Sequence, residues 1–169
     1  MHPGKVEAVL LPADWIVLRT AAYPPAEESL LRGMVEMSAH ELFAERREDL
    51  AIGYDVSRTT EGMSVSIAGC PKARLEKLRT FLQAAGLRAG AATPLAWCLV
   101  RGLPGDRTDS LLAVELGRHA ELVVAEAGRV TWQAALRLEQ KGDQARRAEL
   151  ERAALAMPAG GDRDLVVLG

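Results

Sequence analysis

Residues 50–87, LAIGYDVSRTTEGMSVSIAGCPKARLEKLRTFLQAAGL, decide the fold. Residues 63–68 (MSVSIA) alternate, with Met63, Val65 and Ile67 set against Ser64 and Ser66. A period of two with small polar partners is the mark of a strand buried on one face. Residues 50–57 place Ile52, Tyr54 and Val56 at the same period. The turn-forming residues 58–62 between them predict a hairpin. The period then changes. Pro71 suits the first position of a helix, and Leu75, Leu78, Leu82 and Ala85 recur at i, i+3, i+7 and i+10. Gly86 stands where a helix ends in the left-handed region.

Working toward the N-terminus, residues 26–44 predict another helix, with Leu31, Met34 or Val35, Ser38 and Leu42 on one face. Glu27 and Glu28 in its first turn complement the helix dipole, and Pro24 and Pro25 precede it. Residues 45–49 (ERRED) read as a solvated connector. Residues 5–11 (KVEAVLL) and 15–20 (WIVLRT) read as two strands of a hairpin joined by Pro12-Ala13-Asp14. Toward the C-terminus, residues 87–93 read as a short strand, 94–100 as a short helix and 102–109 as a polar loop. Residues 110–116, 120–126 and 129–138 form a three-stranded antiparallel meander. A helix over 141–157 follows, with Leu150, Ala153, Ala154 and Met157 on one face, then a buried strand at 165–168.

The expected class is α+β, in the order β-β-α-β-β-α followed by β-β-β-α-β. Two subdomains are expected, residues 1–88 and 89–169, because Gly, Pro and Ala dominate between Gly86 and Asp109.

Composition excludes several functions. The chain has 169 residues, 49% of them hydrophobic, enough for a packed core. Lys plus Arg number 21 against 23 Asp plus Glu, which gives a nucleic-acid binder no basic excess. Aromatics at 4% leave no platform for stacked bases. No apolar run reaches the ~18 residues of a membrane span, and residues 1–5 lack a signal sequence. Two cysteines do not make a disulfide framework, so Cys70 and Cys98 read as small buried thiols.

Catalytic signatures are absent too. There is no Walker loop, no dinucleotide-binding glycine pattern and no Gly-x-Ser-x-Gly elbow. Residues 159–162 (AGGD) read as a surface loop. His2, His40 and His119 lack metal-ligand spacing, so no metal is expected. Cys70 precedes the helix that Pro71 opens, a place that can activate a thiol. No local base accompanies it, and packing is the plainer reading. Ser57, Thr59 and Thr60 read as turn residues. Arg146, Arg147, Glu149 and Glu151 read as a solvated helix face. The N-terminal strand, as an edge able to accept a partner strand, and the segment 97–100 (WCLV) are the candidate interaction surfaces, with core packing the plainer reading of each.

The chain resembles the actin-like pilus-assembly and type II secretion proteins of the PilM and GspL families. The residues that carry the resemblance in the first half are 15–19 (WIVLR), the Pro24-Pro25 link into an acidic helix, 50–56 (LAIGYDV) and 65–87. In the second half they are 111–124 (LLAVELGRHAELVV), which resembles the family's second phosphate-loop hairpin, then Gly128-Arg129-Val130, and 165–169 (LVVLG). The resemblance implies an actin-like, ribonuclease-H-like fold. Residues 1–88 would be the inserted subdomain and 89–169 a partial lobe.

The resemblance also implies a cytoplasmic scaffold, peripheral to the inner membrane, that docks an inner-membrane partner's tail or the secretion ATPase and pairs as a homodimer. No catalytic residue is implied. The family's magnesium-handling Asp corresponds to Glu115, one methylene longer, and two of three nucleotide-contacting segments have no counterpart. The chain therefore reads as a diverged short relative or a fragment, with no cofactor. The alternative is a degenerate ATP site, with magnesium, in which Glu115, Gly117, Arg118 and His119 form the anion-facing hairpin.

Overall fold

The computed structural model describes residues 4–59, 62–103, 109–139, 142–157 and 165–168. The chain forms two compact units. One comprises Met1–Leu11 and Trp15–Leu95, the other Pro12–Asp14 and Ala96–Gly169.

In the first unit, β2 (Val17–Tyr23), β3 (Leu50–Thr59) and β4 (Gly62–Pro71) form an antiparallel sheet in the order β2-β4-β3. The hairpin read from residues 50–68 is present, with Val56 opposite Val65 and Tyr54 opposite Ile67. Helix α1 (Glu28–Leu42) covers one face. Its Leu31, Val35 and Ala39 are buried against Met63, Val65 and Ile67 of β4. The sequence favoured Ser38 and Leu42 for that stripe. They flank it instead, and Ser38 bonds the Tyr23 hydroxyl.

The alternation along β4 stops at its far end, where Ile67 through Cys70 are all buried. Both faces are covered there. The Phe43 ring lies where a Cβ on Gly69 would stand, 2.8 Å away, so only glycine leaves room for it. On the opposite face Cys70 packs with Leu11, Ile16 and Leu18 and with Leu75 and Leu78 of α2 (Lys72–Ala84).

One expectation fails here. Strand β1 (Gly4–Leu11) does not pair with β2. It pairs in parallel with β5 (Leu87–Pro94), Val6 opposite Ala89 and Leu10 opposite Thr93. Pro12-Ala13-Asp14 is thus a connection between two sheets and not a hairpin turn. Residues 58 and 59, read as a turn, continue β3, so Ser57 and Thr59 are strand residues; Thr60 lies outside the described residues.

In the second unit, β6 (Ser110–Leu116), β7 (His119–Glu126) and β8 (Arg129–Arg137) form the expected meander. Strand β9 (Leu165–Leu168) joins β6 in parallel, which makes a four-stranded sheet in the order β8-β7-β6-β9. Helix α4 (Asp143–Leu155) covers one face, with Leu150, Ala154 and Met157 against Leu111, Ala113, Ala120, Leu122 and Val124. Helix α3 (Leu95–Arg101) buries Ala96, Trp97 and Val100 but exposes Cys98, contrary to the expectation of two buried thiols. Strand β5 and α3 also interpose between the two halves of the expected element order. The glycine-rich residues 159–162 and the start of the 141–157 helix at Lys141 lie outside the described residues.

Candidate functional site

The first unit carries an apolar groove between α2 and β5. It has a volume of about 500 Å³, and Leu75, Leu78 and Leu82 of α2 face Val9, Leu87 and residues 89–92 across it. The stripe at i, i+3 and i+7 that the sequence marks as core is therefore only half-covered. None of the described residues of α2 is fully buried. A helix with an apolar stripe left partly open has apolar surface that another chain can cover.

The groove floor favours the same use. Residues 88–92 of β5 are all exposed, and Ala89, Gly90, Ala91 and Ala92 put no long side chain over their backbone. Strands β1 and β5 pair only with each other among the described residues, so each keeps one unpaired edge. A two-stranded sheet with open edges is an incomplete one, and an added strand supplies the missing hydrogen bonds. Residues 72–94 hold Lys72, Arg74, Lys77, Arg79 and Arg88 against one acid, Glu76, in a chain whose net charge is −2, and of these bases Arg79 and Arg88 line the groove. Glu76 is itself 2.7 Å from Arg79.

A larger cleft of about 710 Å³ lies along β3, but its polar groups are engaged with one another. Arg47 is 2.6 Å from Glu36, and Lys72 Nζ donates to the Glu48 carbonyl at 2.8 Å. That leaves little polar capacity for a ligand.

The hairpin residues Glu115, Gly117, Arg118 and His119 sit where β6 turns into β7. Gly117 adopts φ +69°, the left-handed first position of a two-residue turn. The strands then divide the side chains. Glu115 stands opposite Ala120, while His119 stands opposite Leu116. Alternation places Glu115 on the α4 face and His119 on the other. The Glu115 carboxylate lies 3.5 Å from Arg146, so Arg146 is not part of a solvated face as the sequence implied. Arg147 is, paired to Glu151 at 3.2 Å. His119 and Arg118 are exposed, and the cross-strand neighbour of His119 is Arg137.

Cys70 is not an activated thiol. Burial pushes its pKa up, against a smaller opposing effect from Arg74. No cluster of three metal-ligating side chains occurs among the described residues, and none of their helices is long and apolar enough to cross a membrane.

The sequence reading passed over Glu121, which is 1% exposed. Its signal was a lone acid inside the apolar run 120–125 (AELVVA) of a central strand. Ala13 N–H donates to its Oε2 at 2.9 Å. Burial raises its pKa to about 7, with Asp14 adding to the rise and the Ala13 and Ala96 amides opposing it.

Sheet order and element sequence define a mixed α/β protein with two units, whose open features are strand edges and an apolar groove. Solved structures share this fold. One is the cytoplasmic domain of EpsL, an inner-membrane component of the type II secretion system of Vibrio cholerae. It matches with a TM-score of 0.64 and 20% identity, over 95% of this chain and 60% of that one. Another is a chain of the PilM–PilN type IV pilus biogenesis complex, at 0.63 and 15%, over 88% of this chain and 45% of that one. A Bacteroides thetaiotaomicron protein with an actin-like ATPase fold matches at 0.44 and 16%, over 96% and 59%. This chain therefore spans less than two thirds of the length of each. No protein-family model and no curated protein matches the sequence.

Proposed function

We propose that this chain is a non-catalytic scaffold of a pilus-assembly or type II secretion platform, working at the cytoplasmic side of the inner membrane. Its first unit corresponds to the inserted subdomain of an actin-like protein and its second to a partial lobe. Its work is docking. An extended cytoplasmic tail of an inner-membrane partner lies in the α2–β5 groove, adds a strand to the open edge of β5 and sets apolar side chains against Leu75, Leu78 and Leu82. The observation that carries this reading is the fold shared with the EpsL cytoplasmic domain over 95% of the chain. The PilM–PilN complex, in which a protein of this fold is assembled with a second component, supports it.

The test is a titration with a fluorescent peptide of the cytoplasmic tail of the inner-membrane protein encoded beside this chain. The expected result is saturable binding, weakened at least tenfold by Leu82→Asp, which is about 1.4 kcal/mol. Binding to the secretion ATPase with no response to the tail would move the partner. Tail binding unaffected by Leu82→Asp would move the site.

A second reading, a degenerate nucleotide site, draws on one observation. Arg118, His119 and Arg137 are exposed together at one end of the β6–β7–β8 sheet. It requires that ATP with magnesium raise the melting temperature, and that a Glu115→Ala, Arg118→Ala double variant lose the rise. On the scaffold reading, millimolar ATP produces no shift.

A further inference from the structure

Glu121 is charged chemistry in a place built for none. Ala120, Leu122 and Val124 of β7 pack in the α4 core, so strand alternation turns Glu121 to the other face. There the Pro12–Asp14 segment, which belongs to the second unit, supplies the Ala13 amide to Oε2. Oε1 has no hydrogen-bond partner among the described residues. Only one other buried side-chain oxygen among them shares that condition, Oε1 of Gln133. Gln133 stands opposite Val123 and Glu121 opposite Ala135, so the two lie on the same face, one row apart on a diagonal. Long side chains reach across such a diagonal. Glu121 Oε1 is thus a buried acceptor to which nothing donates, a condition relieved when the carboxyl group holds its own proton.

We propose that Glu121 is a proton-operated latch on the Pro12–Asp14 segment. The segment stays closed over the carboxyl group while that group holds its proton, and loosens as the proton leaves. A protonated Oε1 needs no partner's hydrogen and can itself donate, while Oε2 still accepts from Ala13. An ionised carboxylate buried here loses more by desolvation than the Ala13 and Ala96 amides return, so it gains by reaching water as the segment bonded to it moves away. The sign follows from linkage. The closed state binds the proton more tightly than the open one, so rising pH favours opening. Asp14 is the charged group facing Glu121 from the covering segment. Helix α3 supplies the uncharged Ala96 amide, and on the same sheet face the next row holds His119 opposite Arg137.

The test is amide exchange at Ala13 in the full chain, followed by NMR and corrected for the intrinsic rate. With the carboxyl group at about 7 when covered and relaxing toward its ordinary 4.5 when exposed, protection at Ala13 should fall between pH 5 and pH 8, by at most roughly 70-fold if the relaxation is complete. Glu121→Gln, which keeps an acceptor and a donor but cannot titrate, should hold protection flat. Asp14→Asn leaves the carboxyl group in place and removes its charged neighbour, so the fall should shrink. Protection that ignores pH in the parent chain overturns the latch. So does an undiminished fall in Glu121→Gln or, should that variant not fold, an undiminished fall in Asp14→Asn.

Discussion

Glu121 also sets the pH dependence of stability. Its pKa is raised from 4.5 to about 7 in the fold, first by burial. The native state then holds its proton more firmly than the unfolded chain. The associated stability is complete below pH 4.5, declines as pH rises from there to about 7, and is flat above. A rise of this size amounts to at most about 3 kcal/mol. Urea unfolding at pH 5 and pH 8 should show the decline, and Glu121→Gln should remove most of it. A second residue carries local strain. Ala127 has φ +49° in the β7–β8 turn, where it precedes Gly128 at φ +70°. A left-handed alanine costs about 1 kcal/mol. Ala127→Gly should therefore raise the melting temperature by a few degrees, whereas a lower one would show that the turn does not hold this conformation in solution. The sequence shows both residues but not the role of either. The acid sits in an apolar run that reads simply as strand. The alanine occupies a place where an Ala-Gly pair signals a turn but not which residue bears the strain.

At the scale of elements, legibility followed local pattern. Strands β3 and β4 and helix α1 were readable because their periods are clean and their partners adjoin them in sequence. Ile67, fully buried between β2, β3 and α1, is the centre of that layer. Ile67→Ala should cost about 2–5 kcal/mol in chemical denaturation. A cost below 1 kcal/mol would mean that the layer is not packed as described. The β1–β2 hairpin failed for a reason that local pattern cannot show. Strand β1 has its partner β5 about eighty residues away in sequence, and a parallel pairing leaves no turn signature between the two. The α2 stripe failed in the opposite sense. Its period is right, but a period says that a face is apolar and not whether anything in the same chain covers it. Leu75, Leu78 and Leu82 are left lining a groove. The candidate site was therefore legible as residues and illegible as a surface. The phosphate-hairpin residues were legible as a turn, while the division of Glu115 and His119 between two sheet faces emerges only from the register.

At the scale of the molecule, two α/β units carry a fold shared with proteins of secretion and pilus platforms, though the chain spans only 60% of the EpsL domain and 45% of the PilM–PilN chain. Arg79 and Arg88 line the groove in a chain with net charge −2, so the proposed docking has an ionic component. Tail affinity should fall with rising salt, as expected for exposed charges, and Arg88→Glu should flatten that dependence while lowering affinity severalfold. The measurement that bears most directly on the scaffold account is calorimetric titration of the full chain with the partner's tail peptide, run beside an identical titration with magnesium ATP. The account predicts one-to-one binding of the peptide, lost in Leu82→Asp, and no heat from the nucleotide. Saturable heat from magnesium ATP with none from the peptide would contradict it and give the β6–β7 hairpin the functional role.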